Sequence, residues 1–489
     1  MFSLNAYIKI ISLASRGKMS MIGAILVSIL LPVLLISAGF DALGLIENPY
    51  FGFLLYVVMA PLLVLGVILL VLGSFFFRSK EELGTYTVEY LKEQFTRPGR
   101  YTRVRRLLYF TAAMTLVLVF VVGVASYSSF QYTSSSRFCG LFCHNVMQPQ
   151  YTAYENSPHS RVSCVECHLG KDADWTERSR FTGIKQLVAV ATDSYSRPIT
   201  SPIEALRPGR KTCEECHLPE KFHGSRLYTK EHFLADEKNT EVRTVILMKV
   251  GSGDVQGKVA HGIHWHVSEA QQVFYRAADR DRDVIIEVRQ VEKGKKDVVY
   301  TPIPNADGTL DIQISEPGAG DLRQMDCIDC HNRPTHVLLS AEEALDAKLS
   351  ANIIPPYLPF IKRQALSAIE KEYTSREAAR VEISRDLQNW YRENYPELIK
   401  NNPSLFERAV QGTLEAYEEN VFPGMHVTWG TYKNNIGHKD ELGCFRCHGK
   451  LQESKSGRVI NSDCNLCHVI LAEDEEQPEI IKSLQGVID

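Results

Sequence analysis

The feature that most constrains this chain is its cysteine pattern. Twelve cysteines in 489 residues form six pairs with none left over, and a histidine directly follows every pair. Five pairs have the spacing C-x-x-C-H, whereas the first is one residue wider, Cys139-Gly-Leu-Phe-Cys143-His144. C-x-x-C-H is the attachment signature of c-type haem, in which two thiols bind the haem vinyl groups and the imidazole binds the iron on its proximal side. The pattern therefore predicts six covalently attached haem c groups.

Disulfides and zinc sites are the alternative interpretations of so many cysteines. An oxidising compartment permits disulfides, and four cysteines can hold zinc, but neither arrangement requires a histidine after every second cysteine. Haem therefore explains the pattern better. The predicted attachment residues are Cys139, Cys143, Cys164, Cys167, Cys213, Cys216, Cys327, Cys330, Cys444, Cys447, Cys464 and Cys467, and the predicted proximal ligands are His144, His168, His217, His331, His448 and His468.

Each low-spin iron also needs a distal ligand, and nine of the 15 histidines remain for that role. We expect about five of the nine to bind iron. His159 precedes the second motif, His336 follows the fourth, and His438 precedes the fifth. Met147, four residues after Cys143, is a candidate for the first haem, where a thioether would raise the reduction potential; simple packing is the alternative. The distal candidates are Met147, His159, His232, His261, His264, His266, His336 and His438.

Three long stretches without charge precede the cysteines. Residues 19–40, 51–77 and 107–130 contain no Asp, Glu, Lys or Arg, and each exceeds the roughly 20 residues needed to cross a bilayer. Buried core helices of a soluble domain are the alternative, but three such runs make it a poor one. The net charge of −4 gives no global positive field for nucleic-acid binding. These stretches predict three transmembrane helices.

The basic residues predict the orientation of these helices. Lys9, Arg16 and Lys18 precede the first stretch, and residues 78–106 contain eight Lys or Arg, whereas the connection between the first two stretches has none. The positive-inside rule then places the N-terminus and the loop 78–106 in the cytoplasm. The haem motifs are expected on the opposite side, in the periplasm of a Gram-negative bacterium. A cleaved signal peptide is the alternative for the first stretch, but its apolar run is too long for one.

The motifs and their surroundings resemble the NapC/NirT/NrfH family of membrane-anchored multihaem quinol dehydrogenases, over roughly residues 107–337. The matching segments are Met147-Gln-Pro149, Ser157-Pro-His159 before Cys164-Val-Glu-Cys167-His168, and Cys327-Ile-Asp-Cys330-His331 with His336 beyond. In its three spans and its extra C-terminal motifs, the chain is similar to the inner-membrane multihaem cytochromes of metal-reducing bacteria. Its segment from Trp429 to His448 is also similar to the corresponding segment of those proteins. The wider first motif departs from the family pattern.

The resemblance implies a quinol pocket beside the first haem, with Lys185 and Asp193 as its catalytic residues. The segment around them has apolar residues at helical spacing, so it suits the membrane interface. Lys185 would bind a quinol oxygen, and Asp193 would accept a proton or cap the open side of the haem, since quinol oxidation releases protons. Solvated charges on an amphipathic helix are the alternative.

The expected fold is three transmembrane helices plus a mostly α-helical extracytoplasmic haem domain with little regular secondary structure and a small β-rich insertion. The expected domains are the membrane domain (1–136), haems one to three with the quinol site (137–222), the insertion (223–320), haem four (321–339), a helical spacer (340–425) and a C-terminal haem pair (426–489).

The predicted function is an inner-membrane hexahaem cytochrome of anaerobic respiration. It would oxidise menaquinol or ubiquinol and pass electrons through its haems to periplasmic cytochromes or a terminal reductase. The alternative is a non-catalytic membrane anchor and electron-transfer subunit of a larger reductase complex. No nucleic-acid partner is expected.

Overall fold

The computed structural model separates the chain into two compact units, one of residues 1–144 and 163–165 and one of 145–162 and 166–489. The structure describes residues 18–42, 51, 53–76, 96, 101–142, 144–170, 183, 185–186, 188–203, 207–218, 221, 224–251, 262–268, 271–292, 294–310, 320–438 and 441–488.

The first unit contains three helices that are long and apolar enough to cross a membrane. The candidate spans within them are Met19–Ser37, Leu54–Gly73 and Ala112–Thr133, which confirms the three predicted transmembrane helices. Lys9, Arg16 and most of the basic loop lie outside the described residues. The helices run over Lys18–Ala42, Phe53–Phe76 (π-helical to Met59) and Tyr101–Thr133.

The first two of these helices pack closely because each has a glycine that faces the backbone of the other helix. A Cβ on Gly73 would lie 2.4 Å from the Ser20 nitrogen, and one on Gly23 would lie 2.4 Å from the Leu70 nitrogen. Small residues allow such backbone approach in membranes, where van der Waals packing replaces the hydrophobic effect between helices. The sequence therefore specifies a tight helical pair rather than three independent spans.

Aromatic rings connect the third helix to the first cysteine motif. The chain leaves this helix through a π-helical turn, Phe138–Phe142, that carries Cys139. The Phe138 ring lies 5.5 Å from that of Tyr132 and stacks on that of Phe142 at 5.3 Å. These offset and edge contacts are the favoured geometries of aromatic pairs. They hold the first motif at the end of the third span.

The second unit combines short motif helices with a bundle of longer ones. The bundle buries Leu345, Ile361, Ile383, Tyr391 and Tyr417 in one core. Its helices have the expected start signals, such as the reciprocal hydrogen bonds of a capping box between Ser340 and Glu343. The helices that lie wholly or mostly in this unit are His144–Glu155, Cys164–His168, Gly209–Cys213, Cys327–Cys330, Ala341–Ser350, Ile361–Ile369, Arg376–Asn394, Pro396–Asn401, Pro403–Glu418 and Glu479–Ile488.

Two antiparallel sheets complete the second unit. The strands are β1 Arg226–Phe233, β2 Glu241–Met248, β3 Gln271–Ala277, β4 Ile285–Glu292, β5 Val298–Pro302, β6 Arg323–Gln324, β7 Leu451–Glu453 and β8 His468–Glu475. One sheet has the order β1-β2-β8 and the other β6-β3-β4-β5-β7. The β-rich segment that the sequence predicts is therefore present, but strands beside the fourth, fifth and sixth motifs complete both of its sheets. The segment 223–320 is not a self-contained sheet domain.

Candidate haem sites

Each C-x-x-C-H motif whose backbone is described folds into a single helical turn. The histidine N–H donates to the carbonyl of the first cysteine at 2.7 Å in the third motif, 2.8 Å in the fourth and 3.1 Å in the fifth. Residues at i, i+3 and i+4 lie on one side of such a turn. Two thiols and one imidazole are thereby presented together, which is the arrangement that covalent haem attachment requires.

The tertiary structure pairs motif histidines with the distal candidates. All five proximal histidines whose side chains are described lie opposite one candidate each. Two metal–nitrogen bonds of about 2 Å, plus the roughly 1 Å from each nitrogen to its ring centre, would place such rings about 6 Å apart. The ring centroids are separated by 6.2 Å (His168–His336), 5.9 Å (His217–His159), 6.4 Å (His331–His264), 5.9 Å (His448–His266) and 6.1 Å (His468–His438). The five spaces therefore fit an iron held between two imidazoles.

Backbone carbonyls orient most of the distal rings. Nδ1 of His159 lies 3.2 Å from the Pro334 carbonyl oxygen, and Nδ1 of His336 lies 2.9 Å from that of Gln150. His264 and His266 make the same contact with the Val250 and Ile263 carbonyls at 2.9 Å. Metal-binding histidines typically use one nitrogen in this way, which leaves the other for the metal.

Burial keeps several of these imidazoles in the neutral form that binds metals. It lowers the pKa of His168 and His266, and it lowers the pKa of His336 to about 4. A protonated imidazole has no lone pair for iron, so the neutral form is required. Burial therefore favours the neutral form of these histidines, which is the form that could bind an iron between the paired rings.

The pairs connect motifs that are distant in the sequence. The 3₁₀ turn Ile263–Val267, between β2 and β3, carries both His264 and His266, which face the fourth and fifth motifs. His159 precedes the second motif but meets the third, and His336 follows the fourth but meets the second. Each distal ring thus comes either from a segment next to another haem motif or from the turn between β2 and β3, so no motif supplies both histidines of its own site.

Motifs that are consecutive in the chain are also neighbours in space. In the first unit, a hydrogen bond with Cys139 lowers the pKa of Cys164 to about 6. In the second unit, a hydrogen bond with Cys327 raises the pKa of Cys213, and Cys167 adds to this shift. Burial raises the pKa of Cys330 to about 12 and also raises that of Cys467, and Cys444 adds to both shifts. Within each unit, the cysteines that shift one another's pKa therefore belong to consecutive motifs.

Cys139, the first cysteine of the wider motif, lies in a π-helical turn. A π-helix closes i to i+5 hydrogen bonds, so its turns contain more residues than those of an α-helix. In such a turn, residues four positions apart lie close to one face, as residues three positions apart do in an α-helix. Cys143 and the His144 side chain lie outside the described residues. The turn Phe138–Phe142 nevertheless has the pitch that a C-x-x-x-C-H motif needs.

A buried carboxylate between the fourth and fifth motifs was missed by sequence reasoning. Asp329 is only 3% exposed and accepts hydrogen bonds from Tyr275 Oη at 2.6 Å, Arg282 Nη1 at 3.1 Å and Arg323 Nε at 3.2 Å. Arg446, inside the fifth motif, donates to the Asp329 carbonyl at 2.7 Å. The only available signal was a charged residue between the two cysteines, which four of the five C-x-x-C-H motifs have and which does not by itself indicate a structural role. Asp329 joins two motifs and the sheet.

Asp193, one of the two proposed quinol residues, is held by a guanidinium. Arg197 Nη2 donates to the Asp193 carboxylate at 2.5 Å and to the Tyr195 hydroxyl at 2.7 Å, and the guanidinium lies 4.3 Å from the Tyr195 ring. Asp193 raises the pKa of Arg197. Lys185 is exposed on the helical stretch that precedes Asp193. Sequence reasoning missed Arg197, whose only signal was its position four residues after Asp193.

Comparison with known proteins accounts for this combination of spans and motifs. Residues 102–200 match the N-terminal region of the NapC/NirT cytochrome c family. Cytochrome c-type protein ImcH from Geobacter sulfurreducens is 37% identical over 470 residues, which cover 94% of this chain and 89% of ImcH. The chain belongs to the NapC/NirT cytochrome c family. Cytochrome c-type protein NrfH from Wolinella succinogenes is 31% identical over 115 residues, 23% of this chain and 62% of NrfH. No solved structure matches the chain.

The resemblance stated from the motifs is thereby confirmed, and the protein is a transmembrane multihaem c-type cytochrome of the NapC/NirT family. The family match contains the first two motifs, Lys185 and Asp193. The similarity to ImcH extends over nearly the whole chain. Electron transfer is the function that this family membership implies.

Three further distal candidates of this NapC/NirT-family cytochrome remain, His232, Met147 and His261. His232 lies in β1, with Nε2 3.4 Å from an Asp474 carboxylate oxygen. Met147 is half-buried in the first turn of the helix His144–Glu155. His261 lies outside the described residues.

Proposed function

We propose that this cytochrome is a quinol dehydrogenase of the bacterial inner membrane, with its N-terminus in the cytoplasm and its haem motifs in the periplasm. Six covalent c-type haems would supply one-electron carriers. The observation that carries the proposal is the set of five histidine pairs, each at the spacing of a doubly ligated iron, on motifs that are neighbours in chain order.

We assign the distal ligands from these pairs. His336 would serve the second haem, His159 the third, His264 the fourth, His266 the fifth and His438 the sixth. Met147 remains the candidate for the first haem. Two imidazole ligands give a lower reduction potential than an imidazole and a thioether. His232 has no part in this assignment, because it pairs with Asp474.

The first motif is the proposed point of electron entry. Its π-helical turn follows the third span within five residues, so its haem would lie at the membrane surface where quinol is available. Oxidation of a quinol to a quinone releases two electrons and two protons. Lys185 would bind a quinol oxygen, and Asp193 would accept a proton while Arg197 holds its carboxylate in place. The electrons would leave from the fifth and sixth haems to periplasmic cytochromes or a terminal reductase.

Reduction of the purified full-length protein by a reduced quinol analogue tests this proposal. Haem absorbance should change to the reduced form without any partner protein. If the quinol reduces no haem while dithionite reduces all of them, the protein is instead a membrane anchor and electron-transfer subunit of a larger reductase.

Replacement of Lys185 by alanine is expected to slow quinol-driven haem reduction by about 10- to 100-fold, because a hydrogen bond from a charged group to the quinol oxygen contributes about 1.5–3 kcal/mol. The rate of dithionite reduction should not change. Lys400→Ala, an exposed lysine on the helix Pro396–Asn401, is the control. Equal quinol rates in the wild-type and Lys185→Ala proteins would remove Lys185 from the site.

Mass spectrometry of the denatured chain is expected to show six covalently attached haems. The double variant Cys139→Ala, Cys143→Ala should carry five and should lose quinol-driven reduction, because the proposed entry haem is missing. Five haems in the unaltered chain would mean that the π-helical turn does not compensate for the wider first motif.

A further inference from the structure

Arg333 is a buried positive charge beside the second haem site. It lies two residues after His331 and three before His336, and it is only 8% exposed. Its Nη1 lies 3.3 Å from the His336 carbonyl oxygen, to which it donates. Its guanidinium lies 4.0 Å from the centre of the Tyr432 ring. These contacts fix the charge next to the backbone of the proposed distal ligand.

The ring under the guanidinium is itself fixed. The Tyr432 hydroxyl donates to the Ile199 carbonyl at 2.9 Å and accepts from Gln150 Nε2 at 3.2 Å. The Gln150 carbonyl in turn contacts Nδ1 of His336 at 2.9 Å. Arg333, Tyr432, Gln150 and His336 therefore form one connected cluster, so the guanidinium cannot move away from the haem site without breaking several contacts.

Nothing in the described part of the protein neutralises this charge. None of the carboxylates there forms an ion pair with Arg333. A guanidinium is charged at neutral pH in proteins, so a buried positive charge lies here. A buried charge without a partner is costly, and proteins retain one where a function needs it. The groups that a bound haem would bring are two propionate carboxylates and an iron whose charge falls by one on reduction.

We propose that Arg333 is a tuning residue that raises the reduction potential of the haem held between His168 and His336. A nearby positive charge stabilises the reduced haem, which is more negative by one unit, and the effect is strong where solvent is excluded. Two imidazole ligands alone would make this haem a poor acceptor for electrons from a haem of higher potential. By raising the potential of the second haem, Arg333 favours electron transfer to it from the first haem. The inference rests on the ligand assignment proposed above.

Spectroscopic redox titration of the full-length protein in detergent tests it. In Arg333→Gln, the reduction equilibrium constant of one of the six haems should fall about tenfold, which is 59 mV for a one-electron couple. Arg333→Lys keeps the charge and should retain most of the wild-type potential. Arg363→Gln is the matched control, because Arg363 also lies 4.0 Å from an aromatic ring centre, that of Phe360, but on a helix of the bundle.

Two results would overturn the proposal. One is six unchanged potentials in Arg333→Gln, and the other is an equal fall in Arg333→Lys and Arg333→Gln, which would assign the effect to lost packing. The affected haem should be the one that becomes high-spin in His336→Ala. Failure of the ligand assignment is distinguishable, because His336→Ala would then leave every haem low-spin whatever Arg333 does.

Discussion

Replacing His264 with alanine is expected to convert one haem from low spin to high spin and to leave the others low-spin. The reason is that His264 faces His331 of the fourth motif, at 6.4 Å between ring centroids and with the two rings within 4° of parallel. Electron paramagnetic resonance of the oxidised protein measures this directly. Near-parallel imidazoles give an ordinary rhombic low-spin signal, so a signal of that kind should be lost and a high-spin signal should appear.

His266→Ala should affect a different signal. Its ring is inclined by 75° to that of His448, and near-perpendicular imidazoles give a highly anisotropic low-spin signal. His232→Ala is the control, because His232 contacts Asp474 rather than a motif histidine. Loss of the same signal in His264→Ala and His266→Ala would contradict the assignment of these neighbours to two irons.

Replacing Asp329 with alanine is expected to lower the free energy of unfolding of the haem-bearing unit by about 3–5 kcal/mol, the usual effect of removing one partner from a buried ion pair. The variant leaves Arg282, Arg323 and the Tyr275 hydroxyl without their shared acceptor. Urea unfolding followed by haem absorbance gives the free-energy difference from the shift of the midpoint at constant slope.

The matched control for Asp329 is Asp386, whose carboxylate pairs with Lys371 at 2.7 Å on the bundle surface. Asp386→Ala should cost no more than about 1 kcal/mol, because exposed ion pairs contribute little. Similar losses in the two variants would show that the Asp329 carboxylate does not hold the fourth motif against Tyr275, Arg282 and Arg323.

Local signals were sufficient for the spans and for the motifs. A charge-free run is a property of one segment, so the three helices appear where hydropathy predicts them, although the third extends from Tyr101 to Thr133 rather than over 107–130 only. The C-x-x-C-H turn is equally local, since its hydrogen bond joins residues four apart. The capping signal at Ser340 likewise marks the start of a bundle helix.

The sheets and the supporting residues required long-range information. The β-rich composition of 223–320 is visible in the sequence, but β7 and β8 come from beyond residue 450, and strand pairing over that distance depends on packing. Asp329 contacts Arg282 and Arg446, and Arg333 contacts Tyr432, which are all distant in the sequence and meet only in the folded chain. Arg197, by contrast, pairs with Asp193 only four residues away.

By itself, the sequence determined that this protein crosses a membrane three times and carries six haem motifs, because apolar length and cysteine spacing act within one segment. The tertiary structure alone decided which histidine faces which motif. His159 lies nine residues before His168 yet faces His217, and His336 lies five residues after His331 yet faces His168. The distal histidine of a haem would have to come from the side opposite the motif that holds that haem. The packing of distant segments determines which histidine lies there.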